Sequence, residues 1–271
     1  MSSSPSKELF AGIFSRHAVA YKARHDIIRR QGQSRGRGRL LELLGPAPGE
    51  IVLDLCCGPG NLAAEILERQ PGARVVGADL APGMLALAAA EVPAIFVLCD
   101  AEALPFATAS FDAVACGHGL QFCPNLQAVL VEAHRVLKPG GRLAASVPHA
   151  GRSSDRAQEI LDRLMPPFPA TPDREDTLRI VRDSSAFPAA ARAAGFGAAT
   201  CEEVEGDVVW SDPREMFEQS LGWWSCAVRL EGLDEQRRQA ILDEAVTDFQ
   251  AEHGGGPVRI PGSDLVLYAS V

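Results

Sequence analysis

The chain of 271 residues lacks the features by which several classes of protein are recognised. No apolar run reaches the roughly 20 residues that a membrane-spanning helix needs. The segment from Met1 to Pro5 lacks the charged-then-apolar pattern of a secretory signal. These absences predict a cytoplasmic protein that has no stable association with membranes.

A concentrated positive surface is also missing, since the formal net charge is −9. Basic residues cluster only at Arg29, Arg30, Arg35, Arg37 and Arg39. Nucleic-acid binding requires a dense positive patch that neutralises phosphates, so the charge balance argues against a nucleic-acid partner. The arginine cluster is interpreted as a solvated helix face.

The seven cysteines include no C-x-x-C pair, which disfavours a metal site or a redox motif. We interpret them as small buried hydrophobes in a reducing compartment and expect no bound metal. Four of them lie at the ends of predicted strands and should gather at one sheet edge, where thiol reagents are expected to inactivate the protein. These four are Cys56, Cys57, Cys99 and Cys116.

Apolar segments alternate regularly with helical segments between residues 46 and 150. Strands are predicted near 51–56, 74–79, 94–100, 112–117 and 142–148, and helices near 61–69, 82–91 and 126–137. Such alternation is typical of a parallel, doubly wound α/β sheet. Ligands of these sheets bind beyond the carboxyl ends of the strands.

The two ends of the chain follow other patterns. Residues 6–45 predict two helices, the second ending at Gly45 and Pro46. After Val147 we expect a helix near 186–194, a strand near 199–204, helical structure over 211–252 and a last strand over 265–271.

The most informative stretch runs from Ile51 to Ala63, an apolar strand that ends in a carboxylate and a glycine-rich turn. Gly58 and Gly60 fit the G-x-G-x-x-G/A dinucleotide pattern, and Asp79 follows at about the spacing of a ribose-binding acid, roughly 20 residues on. Asp54 argues for a different ligand, because its charge would repel a pyrophosphate but would hold an ammonium group. A nicotinamide-dependent oxidoreductase nevertheless stays open at this point.

Asp54-Leu55-Cys56-Cys57-Gly58-Pro59-Gly60 resembles the first motif of class I S-adenosylmethionine-dependent methyltransferases, with Cys56 in place of the family's first glycine. Three later segments, 75–85, 99–112 and 137–143, resemble the following motifs of the subgroup that includes the ubiquinone and menaquinone methyltransferases. Together these motifs cover roughly half the chain in the expected order.

The resemblance implies S-adenosyl-L-methionine as the cofactor. Asp54 would hold its amino end, Asp79 its ribose and Asp100 its adenine, while the glycines leave room for it. The cofactor-binding residues implied in this way are Tyr21, Asp54, Cys56, Gly58, Gly60, Asp79, Leu80, Met84, Asp100, Ala101 and Cys116. Asp79 and Asp100 taken alone would also suit helix caps or turns.

The family fold is a doubly wound, mostly parallel seven-stranded sheet, Rossmann-like, with an antiparallel last strand and a helical lid. On this basis the chain is divided into an N-terminal helical segment over the cofactor (1–45), a cofactor-binding core (46–150), and a remainder (151–271) with lid insertions near 151–184 and 211–256.

Three residues are candidates for catalysis. His118 follows the fourth strand, where a neutral imidazole could accept a proton, and His149 follows the fifth. A structural role for His118, as a hydrogen-bond donor to a loop carbonyl, stays equally open. The segment 14–21 resembles one that folds over the cofactor, with Tyr21 facing the reacting groups, and an amphipathic helix would place His17 and Tyr21 on the same face. A helix that serves only for packing stays equally open for this segment. Gln121 is a candidate for orienting the acceptor.

These observations predict an enzyme that transfers a methyl group to an oxygen or carbon of a moderately apolar small molecule. Quinone, phenol, polyketide and prenyl compounds fit, as in secondary metabolism. Two alternatives remain: the nicotinamide-dependent oxidoreductase, and a methyltransferase-like protein with a non-methylating activity. The oligomeric state is left open, with a homodimer as one option.

Overall fold

The N-terminal region folds into helices that precede the sheet. A computed structural model of the chain describes residues 4–30, 35–149 and 155–271. Where the sequence predicts two helices over 6–45, the described residues form three: α1 (Pro5–Arg16), α2 (Ala18–Arg30) and α3 (Arg35–Leu44). The prediction was wrong because His17 leaves helical geometry, at φ −104° and ψ 16°, and ends α1.

Strands and helices alternate through the centre of the chain as the hydrophobic pattern predicts. The elements are β1 (Ile51–Leu55), α4 (Asn61–Arg69), β2 (Arg74–Asp79), α5 (Pro82–Glu91), β3 (Ile95–Leu98), β4 (Phe111–Gly117), α6 (Leu126–Val136) and β5 (Leu137–Pro148). Proline at the first turn of α5 and the Asn125 side chain, which accepts from the Ala128 N–H at the start of α6, explain two of the helix starts.

The C-terminal part adds two long strands and a group of helices. In chain order they are α7 (Asp155–Leu164), α8 (Glu175–Val181), α9 (Ala186–Ala193), β6 (Ala198–Trp210), α10 (Pro213–Leu221), α11 (Trp224–Ala227), α12 (Glu235–His253) and β7 (Val258–Ser270). The predicted boundary at 150 and 151 lies outside the described residues.

The seven strands form one sheet in the order β3-β2-β1-β4-β5-β7-β6. The first five strands are parallel, and β1 lies between β2 and β4. Asp54 near the end of β1 is therefore paired with Gly77 on one side and Ala115 on the other. This register places Asp54 at the middle of the carboxyl edge of the sheet.

The last strand reverses direction, as predicted. β7 lies antiparallel between β5 and β6, and Asp264 of β7 is level with Pro148 at the end of β5. An antiparallel neighbour brings residues from the start of its own strand to the edge where the parallel strands end. The predicted doubly wound, mostly parallel fold is confirmed.

Apolar side chains fill both faces of the sheet. Leu53, Val114 and Leu143 belong to one buried cluster, and Val52, Ala113 and Ala144, their neighbours in sequence, belong to the other. The period of two residues along each strand explains this division. Each fully buried leucine or valine stabilises the fold by about 1.5–3 kcal/mol, so the sheet provides a rigid base for its loops.

A third apolar cluster lies in the helical region that the sequence interprets as a lid. It joins α7, α10 and α12 around Trp210, which is buried at the end of β6. None of the helices in the described parts of the chain is long and apolar enough to span a bilayer.

Candidate active site

A pocket opens beyond the carboxyl ends of β1, β2 and β4, and helices α1 and α2 cover it. Nine of the eleven predicted cofactor-binding residues line this pocket: Tyr21, Asp54, Cys56, Gly58, Asp79, Leu80, Met84, Asp100 and Ala101. His118 lines it as well. Residues from five separated segments of sequence therefore meet here, as the topology of a parallel sheet requires.

The turn between β1 and α4 depends on three left-handed residues. Cys56, Gly58 and Gly60 have φ values of 55°, 54° and 81°. A residue with a side chain rarely adopts this geometry, which explains why the resembling family has glycine at the position of Cys56.

The two glycines of this turn, Gly58 and Gly60, have different structural roles. A Cβ on Gly58 would meet nothing within 4 Å, so the open space beside it belongs to the pocket. A Cβ on Gly60 would lie 3.1 Å from both Ala88 and Val92. Gly60 thus lets α5 approach the turn and lies outside the pocket lining, contrary to the expectation that it leaves room for a cofactor.

Asp54 is a buried carboxylate with one unused oxygen. Only 1% of the residue is exposed, and its Oδ2 accepts a hydrogen bond of 3.0 Å from the Ala63 N–H. Its Oδ1 has no hydrogen-bond partner. Burial raises the pKa of Asp54 to about 8, although nearby Arg37 opposes that shift. A buried oxygen without a partner is rare in proteins and indicates a place for a cationic ligand.

Asp79 ends β2 and anchors two turns of the pocket. Its Oδ2 accepts from the Gly58 N–H and its Oδ1 from the Ala81 N–H, both at 2.8 Å. Burial raises its pKa. Because each carboxylate oxygen can accept two hydrogen bonds, both atoms keep capacity for hydroxyl donors.

Asp100 is tied to the N-terminal helix. Lys7 of α1 donates from Nζ to Asp100 Oδ2 at 2.6 Å and to Glu102 Oε2 at 2.7 Å. Asp100 also accepts from the backbone N–H of Glu102. The two carboxylates raise the pKa of Lys7 in spite of its partial burial, which opposes that shift. This ion pair holds α1 over the pocket.

Arg37 corrects the interpretation of the arginine cluster. Instead of belonging to a solvated face, Arg37 is 5% exposed and lines the pocket together with His25. Its guanidinium lies against both ring nitrogens of His25, at 3.2 and 3.0 Å. Burial and the positive charge of Arg37 hold the pKa of His25 well below its usual value. A cation and the Asp54 carboxylate therefore share one end of the pocket.

His118 adopts a strained backbone conformation at the end of β4, with φ 58°. Its N–H donates to the Ser146 carbonyl, and its carbonyl accepts from the Gln121 side-chain amide, both at 2.8 Å. Positive φ in a residue with a side chain costs about 1–3 kcal/mol and is often found at functional sites. The loop thus aims the imidazole at the pocket.

A carboxylate that the sequence did not suggest faces the imidazole. Oδ1 of Asp264 lies 3.1 Å from Nε2 of His118, close enough for an ion pair but not aligned as a hydrogen bond. Burial alone would raise the pKa of Asp264, but His118, Arg37 and the Gly36 N–H together hold it below its ordinary value. A side chain at Gly36 would collide with Asp264, so glycine is required there.

Four other sequence candidates lie away from the pocket lining. Cys116 is fully buried in the core, and His149 faces Glu203 and Ser263 beside the sheet. His17 contacts Glu231 at 2.8 Å and shares no helix with Tyr21. The Gln121 amide donates to the His118 carbonyl, and this side chain does not line the pocket.

Aromatic rings from α1, α2 and the segments around residues 122 and 223–224 close one side of the pocket. Phe14 packs edge-on against Tyr21 and Phe122, with ring centroids 5.6 and 5.0 Å apart. Trp224 packs on Phe14 and Phe122, while Trp223 stacks on Tyr21 at 5.1 Å. Stacked rings exclude water, so this side suits an apolar ligand.

Three of the thiols near the pocket have pKa values above the ordinary value for cysteine. The Cys116 thiol and burial raise the pKa of Cys56, and burial raises those of Cys57 and Cys99, the last to about 11. Across 4–30, 35–149 and 155–271, no three or more side chains of the metal-ligating types form a group that could hold a metal ion.

We expect thiol reagents to act slowly at neutral pH, in contrast to the expectation from the sequence. The thiolate is the reactive form, and a pKa two units above the ordinary value leaves Cys99 with roughly a hundredfold less thiolate. Mass spectrometry after iodoacetamide treatment should show Cys99 alkylation increasing from pH 7 to pH 10. Rapid modification at pH 7 would contradict this expectation.

Comparisons with known proteins agree with this geometry. The family model described as "Methyltransferase domain" matches residues 53–145, from β1 to β5. Demethylmenaquinone methyltransferase of Thermus thermophilus is 40% identical over 136 residues, covering 48% of this chain and 62% of the relative. Ubiquinone/menaquinone biosynthesis C-methyltransferase UbiE of Paracoccus denitrificans is 32% identical over 208 residues, covering 70% of this chain and 83% of that protein.

The chain belongs to the class I S-adenosylmethionine-dependent methyltransferases of the ubiquinone/menaquinone type. Nocamycin O-methyltransferase of Saccharothrix syringae is 33% identical and covers 81% of this chain, with 85% of its own length aligned. The methyltransferase family and its cofactor, S-adenosylmethionine, are confirmed, and the oxidoreductase alternative loses its support.

Solved structures share the fold of this methyltransferase at low identity. Phosphoethanolamine N-methyltransferase 2 of Haemonchus contortus, in complex with S-adenosylhomocysteine, has a TM-score of 0.53 at 19% identity, covering 87% of this chain and 52% of that one. The [4+2]-cyclase SpnF has a TM-score of 0.51 at 19% identity, covering 86% and 83%.

Sequence reasoning missed two residues that line the pocket of this methyltransferase, Lys7 and Arg37, and also Asp264, which faces the pocket residue His118. Arg37 and Asp264 lie outside the sequence motifs. Lys7 is one of 26 lysines and arginines, and nothing in the sequence distinguishes it from those on the surface. Gly36 was the one available signal, since a glycine can mark a position where another part of the chain packs closely. The sequence does not reveal that the residue packed against Gly36 is Asp264.

Proposed function

We propose that this methyltransferase transfers a methyl group from S-adenosylmethionine to an oxygen or carbon of a moderately apolar small molecule. Quinone, phenol, polyketide and prenyl compounds are the acceptor classes. The proposal draws on the relatives named for menaquinone, ubiquinone and nocamycin, and on the aromatic side of the pocket.

The observation that carries the proposal is the pair of opposite charges at one end of the pocket. The amino-acid end of the cofactor is a zwitterion, and Asp54 offers an unpartnered oxygen for its ammonium group. Arg37, whose positive charge also acts on Asp54, offers a cation for the carboxylate of the cofactor. A dinucleotide presents negative phosphates here, which Asp54 and Asp79 would repel.

The rest of the pocket suits the nucleoside. Asp79 accepts hydrogen bonds from the ribose hydroxyls, and Asp100 accepts one from the adenine amino group. Leu80, Met84 and Ala101 supply apolar surface for the base. Lys7 orients Asp100 and so links cofactor binding to the position of α1.

S-adenosylmethionine supplies a methyl group on a positively charged sulfur, and the protein supplies orientation and a proton acceptor. Aromatic residues exclude water and align the acceptor, which can lower the barrier by about 7–11 kcal/mol in well-oriented reactions. Nε2 of His118 is buried and faces Asp264, so Nδ1 is the ring nitrogen left to take a proton from an acceptor hydroxyl or acidic carbon. Asp264 stabilises the charge that His118 then carries.

Two measurements test the proposed function. Calorimetry should detect S-adenosylhomocysteine binding and no binding of reduced nicotinamide dinucleotide. Incubation of a metabolite extract with cofactor carrying a deuterated methyl group should yield an enzyme-dependent product that is heavier by that group in mass spectra. Tight cofactor binding without any labelled product across a broad acceptor panel would favour the non-methylating alternative.

Replacing Asp79 with alanine is expected to weaken S-adenosylhomocysteine binding by at least about tenfold, because charge-assisted hydrogen bonds contribute roughly 1.5–3 kcal/mol. Asp79→Asn keeps one acceptor oxygen and should lose less. Calorimetry measures both, and kcat at saturating cofactor should change little. Unaltered affinity in the alanine variant would reject the ribose assignment.

A further inference from the structure

Arg24 of α2 is a partly buried arginine whose charge the described protein residues do not neutralise. Its Nε and Nη1 atoms are buried and have no hydrogen-bond partner. Among the described residues, no carboxylate forms an ion pair with it. Its nearest electrostatic neighbours are the Cys226 thiol and the Tyr21 phenol, whose pKa values are both raised by burial, and burial lowers the pKa of Arg24 itself to about 10.

Two other arginines of the described residues that are buried or partly buried have hydrogen-bond partners, unlike the Nε and Nη1 atoms of Arg24. Arg229 pairs with Asp162 and donates to the Met165 and Pro166 carbonyls. Arg174 donates to the Thr171 hydroxyl and the Gln121 carbonyl. Buried N–H donors without an acceptor are destabilising, so the two unpartnered donors of Arg24 indicate a ligand that accepts from them and supplies the missing negative charge.

The position of Arg24 is next to the acceptor side of the pocket. Its guanidinium carbon lies 4.9 Å from the ring centroid of Trp223 and 5.5 Å from that of Trp210. Trp223 also stacks on Tyr21, which lines the pocket one helical turn before Arg24. A molecule that extends from the pocket past the Tyr21 and Trp223 rings would therefore reach Arg24.

We propose that Arg24 is a specificity-determining residue that binds a delocalised oxyanion, a carboxylate or its equivalent, on an otherwise apolar acceptor. This inference rests on the proposed function and narrows its substrate class. Guanidinium groups favour such anions because their N–H donors match two oxygens sharing one charge. The indole rings of Trp210 and Trp223 would flank the ion pair and exclude water.

The test compares aromatic carboxylates with their uncharged amides. Benzoate, 2-naphthoate and 4-hydroxycinnamate, each beside its primary amide, are titrated by calorimetry into enzyme saturated with S-adenosylhomocysteine. At least one carboxylate should bind about tenfold or more tightly than its amide, since charged hydrogen bonds contribute roughly 1.5–3 kcal/mol. In Arg24→Met this preference should disappear while S-adenosylhomocysteine affinity is kept.

Arg174→Met is the matched control, because Arg174 also lies over aromatic rings, at 4.6 Å from Phe10, yet its donors are used. It should retain the carboxylate preference. Thermal unfolding adds a second readout: Arg24→Met should melt no lower than the parent protein without ligands, because it removes an uncompensated charge.

Three results would overturn the inference. In the first, the parent enzyme prefers no carboxylate over its amide, which includes the case in which neither binds. In the second, Arg24→Met keeps the preference for the carboxylate, and in the third, Arg174→Met loses that preference to the same extent as Arg24→Met. A lower melting temperature with unchanged preference would make Arg24 a structural clamp for the tryptophans. Absence of S-adenosylhomocysteine binding by the parent protein would instead reject the proposed function itself.

Discussion

His118→Ala is expected to lower kcat by about 10²–10⁴-fold, the usual contribution of a positioned general base, while the Kd for S-adenosylhomocysteine stays within about twofold. The imidazole lines the pocket, faces Asp264 at 3.1 Å and is held by a strained loop. Steady-state turnover measurements with a methyl acceptor give kcat, and calorimetry gives the Kd for S-adenosylhomocysteine, so the two effects can be separated.

Asp264→Asn provides the companion variant. It removes the charge that stabilises a protonated His118, so kcat should decrease, while the cofactor affinity should be kept. His149→Ala is the control, because His149 follows β5 but faces Glu203 outside the pocket, and its kcat should match that of the parent. Equal losses of turnover and cofactor affinity in His118→Ala would make His118 a scaffold or cofactor residue.

Asp54→Asn is expected to weaken S-adenosylhomocysteine binding by about a hundredfold or more, because the cofactor's buried ammonium group would lose its charged partner. The asparagine can still accept from the Ala63 N–H, so the turn should persist. Calorimetry measures the loss. Asp112→Asn is the control, since Asp112 accepts from the Ile51 N–H and Lys138 away from the pocket.

The pH dependence of binding provides an independent check on Asp54. With a pKa of about 8, its carboxyl group is mostly protonated in the free enzyme at pH 6.5 and must lose that proton to pair with an ammonium group. Affinity should therefore decrease as the pH falls below about 8, by up to roughly tenfold per pH unit, with proton release on binding. Asp54→Asn should abolish this dependence.

The same carboxyl group influences the stability of the free enzyme. Its folded-state pKa of about 8 exceeds the ordinary 3.8, so its favourable contribution is complete below pH 4 and is lost as the pH rises through 8. Asp54→Asn should consequently raise the melting temperature of the cofactor-free enzyme at pH 8, by about 2–4 °C for each kcal/mol recovered. A lower melting temperature with unchanged affinity would assign Asp54 a structural role.

The hydrophobic pattern predicted the central strands and helices well because each of them has a clear period and a local stop signal. β2, α4 and α5 begin and end where the sequence places them. The N-terminal helices were less predictable, since the break at His17 has neither proline nor glycine. β6 and β7 are longer than predicted because they pair with each other along 13 residues, beyond the apolar stretch that marks them.

Most of the nucleoside side of the pocket was also accessible from the sequence. Asp54, Asp79 and Asp100 each lie at or just beyond the end of an apolar strand, and parallel strands bring their carboxyl ends to one edge. Gly60, in the first motif, and Cys116, at the end of the predicted fourth strand, were also expected to bind the cofactor, but adjacent residues on a strand or turn point to opposite sides. Whether such a residue faces the ligand or the core depends on packing.

The sequence by itself determined the mostly parallel sheet and the carboxylates along its edge, because these follow from local periodicity and from motifs within short segments. Tertiary structure alone decided that Arg37 is buried beside Asp54, that Asp264 faces His118, and that Arg24 lies over two tryptophans with no counter-ion among the described residues. Each of these contacts joins segments far apart in the chain, and the charge and burial of a side chain depend on which distant residues pack around it.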